Sequence, residues 1–185
     1  RMQTYSHAFF TWVLAKHGLK VGRAAGVAGA VGATLPDVPS IAGTAYFWVR
    51  DGRMWNRESL DAIYFTGPFG GTGSALHSVV PAGLLLALYL LLRLGRYDRR
   101  RILLWFVIGW AGHAVADFLT HAADTRPLFW PFSDWEWSSP ISYWDPRHYG
   151  VQFTIVEHAG MLAIMLTLLA LRLRRRARQR KDEGV

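Results

Sequence analysis

There is no cysteine in the 185 residues. Disulfides and thiolate metal sites are therefore excluded, and any metal must be held by His, Asp, Glu or water. Acidic residues are few, 13 against 21 Lys and Arg, which leaves a net charge of +8. So basic a chain could suggest nucleic acid, but the distribution of charge argues otherwise. The densest basic runs, 93–101 and 172–181, each abut an apolar stretch, as the cytoplasmic flanks of membrane helices do. Nucleic acid is not expected as a partner. No internal repeat is visible. No cleavable signal peptide is expected either, because the apolar stretch after Tyr5 is short, carries His7 and follows no basic region.

What the chain has in quantity is apolar length. It is 51% hydrophobic and 14% aromatic, rich for a soluble protein and ordinary for a small integral membrane protein. Its length suits one domain over 1–185. Residues 77–93, 102–121 and 151–172 are strong membrane candidates. Two shorter stretches, 4–17 and 22–35, look too short to span lipid alone and suit a re-entrant hairpin or a place inside the bundle. The second is built from Gly and Ala (Gly22, Gly26, Gly29, Gly32), which permits close helix approach, and Pro36 and Pro39 end it. Residues 40–76 read as a mixed connection with a short helix on each side of Asp51-Gly52, closing with GPFGGTGS. Residues 122–150 form a loop dense in Trp, Phe, Tyr and Pro that suits the headgroup zone, and 173–185 form a basic tail. The expectation is an all-α, polytopic membrane helical bundle of about five membrane segments, with the N-terminal pair short or re-entrant.

With the C-terminus placed in the cytoplasm, the inner flanks are 14–23, 93–101 and 172–185, and they hold most of the Lys and Arg. Only Arg1, Arg50, Arg53, Arg57, Arg126 and Arg147 fall outside. This arrangement is set by basic residues alone, so the remaining residues test it. His7, His77, His113, His121, His148 and His158 all fall toward the outer side, as do Asp37, Asp117 and Glu157; only His17 falls inside. Potential ligands from five segments thus converge at one depth. The expected location is the cytoplasmic (inner) membrane, with the site facing the extracytoplasmic side.

The most specific signal is His113-x-x-x-Asp117-x-x-x-His121 within ILLWFVIGWAGHAVADFLTH. Helical spacing stacks the three on one face, and ionisable groups inside an apolar span are usually paired, metal-bound or turned to a polar cavity. Two imidazoles and a carboxylate make half a divalent-metal site. The bland alternative is a polar helix face satisfied by neighbouring helices. Glu157-His158 lies near the outer end of the last segment, and adjacent helical positions diverge by about 100°, so one of the two is expected at the site. His77, followed by Ser78, opens the third segment, and Asp37 is fixed between prolines in LPDVP. His148 is a surface or substrate residue on this reading. Arg50, Arg53 and Arg57 recur at helical spacing; they are either a headgroup-facing stripe or forks for a substrate phosphate.

The order LPD, LHS at the head of an apolar helix, then GHAVADFLTHAADTRPLFWPFS resembles the YdjM-type inner-membrane metal-dependent hydrolases. Those are recognised by LPD, a Thr-His-Ser at a helix start, and Ser-His-x-x-x-Asp followed by a Thr and Trp-Pro-Phe. The resemblance is most specific over 112–132 and implies roles for Asp37, His77, His113 and Asp117, with His7 beside them. Two departures stand out. Pro39 occupies the place of a second acid, and Thr72-Gly73-Ser74 and Leu76 replace a His-Arg-Gly and the Thr of Thr-His-Ser. More distantly, the ligand order is similar to that of the zinc-dependent phospholipases C.

The resulting expectation is a metal-dependent hydrolase acting on a phosphoester in a lipid or lipid-linked substrate at the outer face. His7, Asp37, His77, His113, Asp117, His121 and His158 are the candidate ligands for one to three divalent ions, zinc first, manganese or iron next. Asp37 is the candidate bridge or proton acceptor and Glu157 the second base. Membrane lipid is the expected surrounding. The same residues would also serve an ion or proton path in a transporter, or a metal that merely holds the bundle together.

Overall fold

In a computed structural model describing residues 3–52 and 56–182, the described residues are mostly helical and contain no strand. The helices are α1 Thr4–Val13, α2 Arg23–Thr34, α3 Val38–Asp51, α4 Arg57–Tyr64, α5 Gly67–His77, α6 Val79–Leu91, α7 Ile102–Thr120 and α8 Gly150–Asp182. The expected all-α class holds. The expected five membrane segments do not: two helices, α7 and α8, are long and apolar enough to cross, or three elements if α5 and α6 count as one bent span. The reason is length. At about 1.5 Å per residue, α1 and α2 fall well short of a bilayer core.

The Gly/Ala character of α2 explains its partner. A Cβ on Gly32 would overlap the Phe106 carbonyl, and one on Gly109 would overlap the Gly29 carbonyl, so α2 and α7 pack backbone against backbone. That contact carries the chain end of α2 to the middle of α7. A one-turn 3-10 segment, Leu35–Asp37, then aims Asp37 inward before α3 begins.

The segment expected as one helix over 77–93 is broken at Ser78, whose extended backbone (φ −75°, ψ 143°) separates α5 from α6 with a bend of 52°. His77 therefore ends α5 instead of opening α6. The Gly-rich stretch expected to be part of a connection is helical; Gly70 lies against the Phe65 backbone just before the helix and Gly73 against Arg126. Tertiary contact overrides the low helix propensity of glycine here.

The 122–150 loop is stitched to both helix ends beside it. Ser78 reaches the Leu128 and Trp130 carbonyls at 2.9 Å, and Val79 N–H donates to Leu128 O at 3.0 Å. Ser139 donates to Leu119 O at 2.6 Å, and Tyr143 N–H donates to Thr120 O at 3.2 Å, which satisfies carbonyls at the end of α7. Asp145 is buried and takes two bonds from the Arg147 side chain, and that guanidinium holds its carboxyl well below the usual carboxylate range. Phe132, Trp135, Trp144 and Tyr149 remain exposed. α8 touches the rest chiefly through α1, where Ser6 Oγ donates to Met161 Sδ at 3.3 Å; its long apolar flank is exposed.

Candidate metal centre

Asp37, His77, His113 and Asp117 are all buried, and one ligand atom from each lies within 4.8 Å of all the others. Three elements deliver them: the 3-10 turn after α2, the end of α5, and two successive turns of α7. Each imidazole is oriented from behind. His77 Nδ1 donates to Gly73 O at 2.7 Å, and His113 Nδ1 donates to Ala33 O at 2.7 Å. A carbonyl can only accept, so both rings carry a proton at Nδ1, and in their neutral form the lone pair is at Nε2. Those two Nε2 atoms approach to 3.3 Å, and each lies 3.2 Å from Asp117 Oδ2. Lone pairs and a carboxylate meet favourably only around a positive charge, whether a proton or a metal cation.

Two further histidines close on the same carboxylate. His7 Nε2 is 3.0 Å from Asp117 Oδ1, and its ring stacks on His113 with centroids 3.9 Å apart. His121 Nε2 is 3.3 Å from Asp117 Oδ2, although His121 already lies past the helix end in an extended conformation. All four contacts to Asp117 lack the alignment of hydrogen bonds: both its oxygens, His7 Nε2 and His121 Nε2 are buried without a hydrogen-bond partner. Donor atoms that crowd together without bonding one another point at a common centre, which is the arrangement a cation requires. Asp37 completes the group. Its Oδ2 accepts from Thr4 Oγ1 at 2.5 Å, and its Oδ1 faces His77 Nε2 at 3.7 Å and His113 Nε2 at 4.0 Å. His121 Nδ1 donates to the Asp124 backbone carbonyl at 3.2 Å and lies 3.1 Å from the Oδ1 of the same residue.

The remaining candidates lie elsewhere. His158 is exposed; its Nε2 meets the Tyr5 hydroxyl at 2.6 Å and its Nδ1 donates to Thr154 O at 2.8 Å. Glu157, one position back, is the buried member of the pair, with Oε1 lacking a hydrogen-bond partner. The helical divergence expected of these neighbours is therefore seen. His148 binds Asp145 at 3.2 Å within the loop. Arg50 is exposed and doubly bonded to Asp51, Arg57 starts α4 in solvent, and Arg53 falls outside the described residues. Arg126 was absent from the sequence-based candidates. It borders the cleft leading to the cluster, together with His77, Asp117, His121, Asp124 and Trp137. Only its place among the outer arginines hinted at it.

Fold and site together define an α-helical membrane protein with a buried histidine–carboxylate group suited to a divalent cation. A family model described as YdjM inner membrane protein matches residues 2–180, and the chain belongs to that family. No curated protein and no solved structure matches the chain.

Proposed function

We propose that this protein is a membrane-embedded, metal-dependent hydrolase of a phosphoester in a lipid or lipid-linked substrate. The observation that carries the reading is the convergence of imidazole and carboxylate atoms on one buried point that a cleft reaches from outside. His77, His113, Asp117 and Asp37 would hold the cation, with His7 and His121 beside Asp117. A divalent ion there supplies Lewis acidity toward a phosphoryl oxygen and makes water a nucleophile near neutral pH. Zinc suits the donor set best, with manganese or iron as alternatives.

The chain's own part is orientation and proton handling. The Gly73 and Ala33 carbonyls fix the tautomers of His77 and His113. Thr4 occupies one oxygen of Asp37 and leaves the other toward the cluster, where it can accept a proton from attacking water. The aromatic loop beside the cleft supports a site at headgroup depth and an amphiphilic substrate, and the basic flanks 93–101 and 172–181 support an extracytoplasmic orientation.

Elemental analysis of the purified protein, followed by hydrolysis assays on phosphoesters, tests the proposal. Asp117→Asn is expected to lose bound metal and turnover while keeping its helical circular dichroism. Wild-type protein that binds no divalent ion would remove the basis of the reading. Stoichiometric metal whose removal unfolds the chain, with no turnover on any phosphoester, would establish the structural role instead.

A further inference from the structure

Arg126 stands apart from the arginines that sequence reasoning offered for phosphate. It is half-buried, and its Nη1 is shielded from solvent. Its seat is Gly73: a Cβ there would lie 2.6 Å from Nη1 and 3.4 Å from Cζ and Nη2. Glycine inside a helix weakens the helix, and at this position it makes room for a guanidinium. Gly73 is also the residue whose carbonyl orients His77. The guanidinium thus lies one helical turn from a proposed metal ligand, on the wall of the same cleft.

Arg126 also lines a second, wider cleft with Leu60, Tyr64, Phe65, Tyr143 and Trp144. One side chain therefore stands where the narrow polar approach to the cluster meets an aromatic channel. A planar guanidinium matches two phosphoryl oxygens at once, and a partly desolvated one strengthens the pairing.

We propose that Arg126 is the anion-recognition residue of this site. It holds a phosphoryl oxygen of a phosphoester ligand above the Asp37–His77–His113–Asp117 group, while the ligand's apolar portion lies along Tyr64, Phe65, Tyr143 and Trp144. This rests on the metal-dependent hydrolase reading and adds to it the residue that recognises the ligand's phosphoryl group and the rings that face its apolar arm.

The test uses the full chain in detergent, loaded with Mn2+, with inorganic phosphate as the probe. Manganese occupancy is read by electron paramagnetic resonance and phosphate approach by 31P relaxation. Wild type is expected to bind Mn2+ and to show saturable relaxation of phosphate. Arg126→Ala is expected to keep its Mn2+ and weaken phosphate roughly 10–100-fold, the cost of losing a charge-assisted pair. Arg126→Lys, which keeps charge without the fork, should fall between. Gly73→Ala displaces the guanidinium without removing it and should weaken phosphate as well, which decides the matter if Arg126→Ala fails to fold. Equal phosphate affinity in wild type, Arg126→Ala and Gly73→Ala overturns the proposal and makes Arg126 structural. Loaded Mn2+ with no saturable phosphate effect overturns it while leaving the metal centre standing. No bound Mn2+ or other divalent ion overturns both. Dihexanoyl phosphatidic acid should bind more tightly than inorganic phosphate; equal affinity removes the apolar arm from the proposal.

Discussion

Thr4 is where a small change should have a large effect. Its hydroxyl holds Asp37 at 2.5 Å, in a pocket that excludes water from the carboxylate. A hydrogen bond that orients a metal-binding carboxylate is typically worth about 10–100-fold in metal affinity or activity. Thr4→Val is nearly isosteric and removes only that bond. It is expected to weaken metal binding by this factor with little change in thermal stability, measured by competition with a chelator. Unchanged metal affinity would show that Asp37 is placed by its prolines alone. The residues that sequence made legible are those whose relation is local. His113, Asp117 and His121 share one helix, so spacing placed them together. Asp37 and His77 came into view through a shared expected depth and through the LPD and LHS of the family resemblance. Arg126 did not, because its meeting with Gly73 joins distant parts of the chain and leaves no periodic trace.

Helix against helix, α2 and α7 decide where the donors stand. Gly32 and Gly109 let the two backbones touch, and the touch brings the Ala33 carbonyl to His113. Gly32→Ala forces a Cβ into the Phe106 carbonyl and should cost about 1–3 kcal/mol, the usual penalty of overpacking. It should also lower metal occupancy, since His113 loses its brace. Gly83→Ala in α6 meets nothing within 4 Å and should be neutral or stabilising by up to about 1 kcal/mol. Thermal unfolding of both variants with and without added metal checks this; equal behaviour would mean that the glycine contact is incidental. The Gly/Ala stripe of α2 and the aromatic loop could be read from composition. The helix over Gly67–His77 could not, because four glycines argue against it and its packing on α3 and α4 leaves no trace in composition. The count of spans failed for a related reason: apolar pattern reveals a buried face, while the length of an element is fixed by where neighbouring chain interrupts it.

Across the whole molecule, the lack of cysteine makes orientation directly measurable. Any single introduced thiol is the only one present. Asp134, Arg99 and Arg178 are all exposed, the first in the aromatic loop and the others beside the basic ends of membrane elements. Asp134→Cys is expected to react with an impermeant maleimide on intact cells, and Arg99→Cys and Arg178→Cys only after permeabilisation. The reverse pattern would place the cleft on the cytoplasmic side and change the substrate pool it can meet. The peptide-to-peptide seam between α2 and α7 bears on behaviour at this scale too. Where two backbones abut, no rotamer can relax to open or close the gap. The backbone that carries His113 and Asp117 is then held at a fixed separation from the end of α2, which leads to Asp37. Adaptation to different ligands would fall to the rim, in the loop and its aromatic rings, with the inner coordination geometry held constant.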